Sequence, residues 1–181
     1  MYDLTVALET TNVRIPIGGA LWLDADINVP PDAKGVVIFA HGSGSSRHSP
    51  RNRYVASELN NVQMATVLVD LLTMLEETLD VGAAAALDAA AARPDAVHAV
   101  VSRGGRADLA SRLGEVKAPS LLIVGGNDPE VWRLNREAFR LLGGTKELAV
   151  IPGATHLFEE PGALEAVASC AGVWFTRYVT R

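Results

Sequence analysis

Two short apolar runs each end in a turn that carries a side chain suited to proton transfer. Ser120 to Val124 opens into Gly125-Gly126-Asn127-Asp128-Pro129, and Glu147 to Ile151 opens into Pro152-Gly153-Ala154-Thr155-His156. An imidazole serves as general base near neutral pH, and a carboxylate beside it fixes its tautomer and stabilises the imidazolium. Taken singly, a loop histidine is ordinarily solvated and an aspartate after glycines is ordinarily turn chemistry. Their placement at successive strand ends favours a joint role. A third segment, His41-Gly42-Ser43-Gly44, suits an oxyanion hole, because glycines leave backbone N–H groups unshielded before a developing negative charge. The same turn could form an anion nest for phosphate. However, GSGSSR lacks the Gly-Lys-Ser/Thr ending of a nucleotide loop and the last glycine of a dinucleotide fingerprint.

Arg47, Arg51, Arg53, Arg103 and Arg106 fall in the neighbouring segments and could hold a carboxylate or phosphate at the same mouth. Each is equally readable as solvated surface. His48 and His98 are unremarkable, one in a polar loop and one within a strand pattern. Cys170 lies in the last helix with no histidine near it in sequence and reads as core. The three tryptophans are too scattered for a stacking platform.

The elements that must position these groups alternate between strand and helix. Val13 to Ile17 and Ala20 to Val29 flank Gly18-Gly19 as a hairpin, with Leu21, Leu23, Ala25, Ile27 and Val29 on one face. Gly35 to Ala40 is a continuous apolar run, the pattern of a strand covered on both faces. Ser49 and Pro50 open a helix to about Asn60, and Ala65 to Val69 is a second buried-type strand. An alanine-rich helix after Gly82 stops at Arg93-Pro94. Ala96 to Val101 is a strand, Ala107 to Leu113 a short helix, and Ser120 to Val124 a strand. A helix from about Glu130 to Leu142, the strand Glu147 to Ile151 and a helix over Ala163 to Tyr178 complete the order. This alternation predicts an α/β fold with a mostly parallel sheet and an antiparallel N-terminal edge, in a single domain over 1–181.

Composition narrows the function classes. With 181 residues and 49% hydrophobic content, the chain is long enough for one domain with its own core. A net charge of −5 gives no global attraction to nucleic acid or anionic membrane. One cysteine excludes an internal disulfide and a cysteine-based zinc cluster. The first residues contain no secretory signal, and no run reaches the length of a membrane span, so a cytoplasmic protein is expected.

The segments GVVIFAHGSGSSRHSPRNRYVASELN, TVLVDLL, VVSRGGRADL, LLIVGGNDPEV and IPGATHLFEEPGALEAV together resemble the dienelactone-hydrolase-like branch of the α/β-hydrolases. The resemblance implies an α/β-hydrolase-like fold that hydrolyses a small carboxylic ester or lactone by acyl transfer. It implies no metal and no organic cofactor. Asp128 takes the place of the triad acid and His156 of the base. By the same resemblance Ser43, just after Gly42, looks like an oxyanion-hole contributor through its backbone, while Arg47 and Arg103 are expected to contact substrate from their place at the mouth.

One departure is large. Such enzymes carry a Gly-x-Ser-x-Gly nucleophile elbow on a strand-to-helix turn, and no such pentapeptide occurs in this chain. Gly82 and its alanine helix resemble the segment that follows the elbow, so a central strand is expected to be missing together with the nucleophile. Asp80 and Ser102 are the substitutes the sequence offers. The alternative reading is a catalytically silent remnant or a small-molecule-binding protein, or an incomplete version of a longer enzyme. Loss of a central strand strands backbone groups on its neighbours. Either those neighbours pair directly, or solvent or another chain covers the seam. Substrate identity and oligomeric state are not legible.

Overall fold

The computed structural model describes residues 8–42, 45–71 and 81–179. β1 (Thr11–Gly18) and β2 (Leu21–Asn28) form the hairpin, and Gly18 and Gly19 turn it with φ of 114° and 57°. Such values favour glycine. β3 (Gly35–Ala40) leads through a loop to α1 (Pro50–Asn61), which starts with Pro50 and is capped by the Ser49 hydroxyl accepting from Asn52 N. β4 (Met64–Val69) follows, then α2 (Gly82–Ala92), β5 (Val100–Arg103), β6 (Ser120–Gly125), α3 (Pro129–Leu141), β7 (Lys146–Ile151) and α4 (Ala163–Val179).

The strands form two sheets. One has the order β1-β2-β4-β3 and the other β5-β6-β7. β3 runs parallel to β4 from Gly35↔Met64 to Ala40↔Val69, and β6 runs parallel to both β5 and β7. The hairpin joins antiparallel through Ala25↔Val69. Among the described residues no strand lies between β3 and β5, and the two do not pair. The α/β architecture with its antiparallel edge and its central gap is therefore as the sequence predicts.

Period-two alternation distributes the core. On β6, Leu121 and Ile123 face α1 and α4 with Leu59, Met64, Phe158, Val167 and Trp174. Leu122 faces α2 and α3 with Leu87, Val100 and Leu142. Three expectations need correction. β3 is not covered on both faces: Val37 is buried, but Val36 and Ile38 are 59% and 67% exposed, because no element of the described residues packs over them. On β2, Leu21 and Val29 are exposed at the strand's ends, and only Ala25 of the predicted face is fully buried. Ala107 to Leu113 is not a helix. Only the 3-10 turns Ala107–Leu109 and Leu113–Glu115 form, since the Asp88 carboxylate on α2 accepts from the N–H groups of Ser111 (2.9 Å) and Arg112 (3.0 Å).

Candidate active site

Asp128 and His156 meet at the carboxyl edge of the second sheet. Asp128 caps α3: its Oδ1 accepts from Val131 N at 3.2 Å, with Pro129 at the first helical position. A cap of this kind satisfies one of the helix's unpaired N–H groups. The other oxygen, Oδ2, lies 3.0 Å from His156 Nδ1. One carboxylate thus does two jobs, and the helix holds it in the orientation the imidazole needs. With Nδ1–H donating to Asp128, Nε2 is left as the free basic nitrogen, the arrangement required of a general base. The His156 side chain is 49% exposed and that of Asp128 15%.

The loop bearing His156 is fixed by backbone contacts. Gly126 N donates to Ile151 O at 2.8 Å and Asn127 N to Ala154 O at 2.9 Å. Thr155 N donates to Glu160 Oε1 at 3.1 Å, and hydrogen bonding, first from the Thr155 side chain and then from the backbone, lowers the Glu160 carboxyl. Glycine is needed at position 125, where a Cβ would fall 2.4 Å from Ala154 O and 2.6 Å from Thr155 O. Gly104, with φ 60°, brings the loop after β5 against the same histidine; a Cβ there would lie 3.2 Å from His156 O. Phe158, at φ 56° and 1% exposure, plugs the loop into the core.

The other predicted residues are distributed as follows. Gly42 follows β3 and lines a cavity of about 820 Å³ that also reaches His156, Arg103 and Ser102. Ser43 and Asp80 lie outside the described residues. Ser102 is buried, and its Oγ has no hydrogen-bond partner among the described residues, so His156 does not engage it. Among the same residues Asp128 is the one hydrogen-bond partner of the His156 ring. Arg47 is committed elsewhere: its N–H donates to Asp70 Oδ1 at 2.7 Å, its Nη1 pairs with Asp70 Oδ2, and its Nε lies 3.4 Å from Asp26 Oδ1. Arg103 donates from Nη2 to Asn52 Oδ1 at 2.9 Å and faces the cavity. Burial, and then the charge of Arg51, push its guanidinium down to about 10. Among the described residues no carboxylate lies within ion-pair distance of it, and no group of three potential metal ligands occurs.

The sequence reading missed His41 and Asp26. His41 is buried, with Nδ1 3.1 Å from Gly42 O and Nε2 accepting from Leu71 N at 3.1 Å. This pattern sets the Nδ1–H tautomer and staples the end of β3 to the end of β4. Asp26 is 3% exposed and binds Arg47, Arg53 (3.1 Å) and Asn12 (2.7 Å). Its only sequence signal is an acid followed, one strand later, by clustered arginines. No helix of the described residues is long and apolar enough to cross a membrane.

No protein-family model matches the chain. A crystal structure of dienelactone hydrolase from Anabaena variabilis is 44% identical, with a TM-score of 0.89, over 95% of this chain and 99% of that one. The esterase domain of a Rhodothermus marinus protein is 17% identical with a TM-score of 0.79, over 95% and 100%, a likeness of fold alone. Curated proteins from two Mycobacterium tuberculosis strains, provisionally named phosphoribosyl transferases, are 46% identical over 197 aligned positions. The match takes in 88% of this chain and 44% of those proteins, so the chain spans less than half of their length. Because 88% of 181 residues is about 159, about 38 of the 197 positions set residues of the relatives against gaps here. That is the size of one strand-plus-helix unit.

Proposed function

Because the chain belongs to the dienelactone hydrolase family of α/β-hydrolases, we propose that its Asp128–His156 pair serves acyl transfer on small carboxylic esters or lactones. The observation that carries this reading is the 3.0 Å contact between His156 Nδ1 and a carboxylate locked as a helix cap. In the inherited reaction a nucleophile attacks the ester carbonyl while His156 Nε2 takes its proton. Backbone N–H groups at Gly42 and Ser43 receive the oxyanion, and the proton passes to the departing alkoxide. Water then releases the acyl group by the same route. Arg103, a cation facing the cavity without an acidic partner among the described residues, would anchor an acidic group of the ligand. The transferase name of the mycobacterial relatives describes proteins of which only 44% is matched here, and it is not carried over.

The test is hydrolysis of p-nitrophenyl acetate by the native chain and by His156→Ala. Loss of activity in the variant supports the reading, and equal rates in both overturn it. A second reading, a binding protein without turnover, is favoured by one observation: no hydroxyl or thiol among the described residues is bonded to His156. It requires no steady hydrolysis and no labelling by a fluorophosphonate. A stoichiometric serine adduct would end it.

A further inference from the structure

The cavity lies between two strand edges. It is lined by every residue from Lys34 to Gly42 on one side and from Ala96 to Gly105 on the other. β3 and β5 run side by side in one direction. Their carboxyl ends are tied through Asn52, which donates to Ser45 Oγ at 3.2 Å and accepts from Arg103 at 2.9 Å. Their amino ends both approach Val179, which a Cβ on Gly35 would overlap at 2.2 Å and which lines a pocket with His98. Each is the outermost strand of its sheet, so among the described residues the backbone N–H and C=O groups that β3 and β5 turn toward the channel have no ladder partner. Alanines of α2 form one wall, and Leu59 and Phe175 lie on the other. Val36 and Ile38 stand exposed beside the opening. A strand that paired with both edges would need ~4.8 Å to each of them, the ordinary ladder spacing.

The carboxyl end of the channel is cationic. Arg103 and Arg51 are close enough for the charge of one to depress the guanidinium of the other. Arg51 has a partner in Glu159 at 2.8 Å, whereas Arg103 has only the Asn52 amide oxygen among the described residues. A segment running parallel to β3 and β5 would bring its own carboxyl end to this point.

We propose that the channel is a binding site for an extended apolar peptide segment of another chain, about six residues long, entering parallel to β3 and β5 with its free C-terminal carboxylate on Arg103. The mode is strand addition, with hydrogen bonds made on both sides of the added strand instead of one. The segment takes the position of the strand that the relatives' additional residues are large enough to supply. The inference shares with the proposed hydrolysis only the anion-anchoring role of Arg103, and it needs neither Asp128 nor His156.

The probe is Lys-Val-Ala-Val-Ala-Val-Ala, labelled with fluorescein at its amino end and followed by anisotropy against the full chain. The free acid binds at least about tenfold more tightly than the C-terminal amide, because it adds a charge-assisted hydrogen bond. Arg103→Gln abolishes that difference. Ile38→Asp, at an exposed position that does not disturb the core, weakens both forms. Those amides of Gly35–Ala40 and Val100–Arg103 that point into the channel, rather than to β4 or β6, exchange fast in the free protein and slow on binding. His156→Ala binds the peptide like the native chain, so failure of hydrolysis and failure of peptide binding are separable results. The proposal is overturned by equal affinity for acid and amide, by no binding at millimolar peptide, or by slow exchange of the channel-facing amides of β3 without peptide. A self-association that the peptide cannot displace also overturns it, since a second copy would then be the occupant.

Discussion

Asp128 holds two partners with two oxygens, so its substitutions separate a structural effect from a chemical one. Asp128→Ala removes the α3 cap and the imidazole's partner together. Loss of an N-cap costs about 1 kcal/mol, within a range of roughly 0.5–2. For a chain of this size that lowers Tm by about 2–4 °C per kcal/mol. Asp128→Asn keeps a capping oxygen, since asparagine caps as well as aspartate, and loses only the favourable charge at the helix N-terminus, about 0.3–1 kcal/mol. Its amide N–H₂ then faces His156 Nδ1. A donor cannot accept from Nδ1–H, so the ring turns to the Nε2–H tautomer and its outer nitrogen ceases to be a base. Hydrolysis in the asparagine variant falls by orders of magnitude, up to about 10⁴ by analogy with triads, while its Tm stays within ~2 °C of native, on the cap and charge terms above. The ¹⁵N shifts of the His156 ring report the tautomer directly, and the chain has only 4 histidines to assign. An unchanged His156 tautomer in Asp128→Asn, or a melting temperature as low as that of the alanine variant, would refute the double role.

Phe158→Ala empties a site 1% exposed under the histidine loop and costs about 3–5 kcal/mol in urea unfolding. Gly125→Ala drives a Cβ to 2.4 Å from Ala154 O, so the loop withdraws and the Asp128–His156 bond is lost from the ring ¹⁵N spectrum. The Asp108 carboxyl is lowered first by its hydrogen bonds from Arg106, at 2.8 Å each. Its folded value lies below its unfolded one, so its stabilisation is complete above the ordinary carboxylate range and lost as pH falls through the folded value. Native and Asp108→Asn stabilities, measured by urea titration, therefore differ at neutral pH and converge in acid. Burial, and then Glu147, raise the Cys170 thiol, so iodoacetamide alkylates it more slowly at pH 8 than it does a free model thiol.

The Asp128–His156 pair is legible because each residue sits where local chemistry announces a boundary. Asp128 precedes a proline and so marks a helix start, and His156 follows a glycine turn at a strand's end. The strand limits were less legible where the neighbour decides them. Ala96 to Val101 has strand composition, yet the ladder runs from Val100 to Arg103, because pairing begins where β6 begins, at Val100↔Ser120. Ala96 to Ala99 have no partner on either side among the described residues. The GVVIFA run was read correctly as a strand and incorrectly as doubly covered. Apolar side chains at Val36 and Ile38 are suited to an interior position, and whether they become interior depends on a covering element that none of the described residues supplies. Asp26 escaped notice because alternation marks it as an ordinary polar position, while its burial is created by Arg47 and Arg53 from a segment two elements away.

The division of the sheet also divides the candidate site. Asp128 and His156 both rise from the second sheet, at the ends of β6 and β7, where hydrogen bonds from Gly126 and Asn127 bind the two loops to each other. Their geometry is independent of the gap. Gly42 and the Arg47–Asp70 pair rise from the first sheet, at the ends of β3 and β4. The two groups are joined across the opening by side-chain bridges such as Asn52–Arg103 and by α2, whose Gly82 abuts His41 closely enough that a Cβ would fall 2.6 Å from its carbonyl oxygen. A backbone ladder locates its partners far more tightly than such bridges do, and a catalytic constellation tolerates only about 0.5 Å. The Asp128–His156 pair is thus preorganised, whereas Gly42 is held relative to it at a distance set by packing. Filling the channel with a hydrogen-bonded strand would fix that distance.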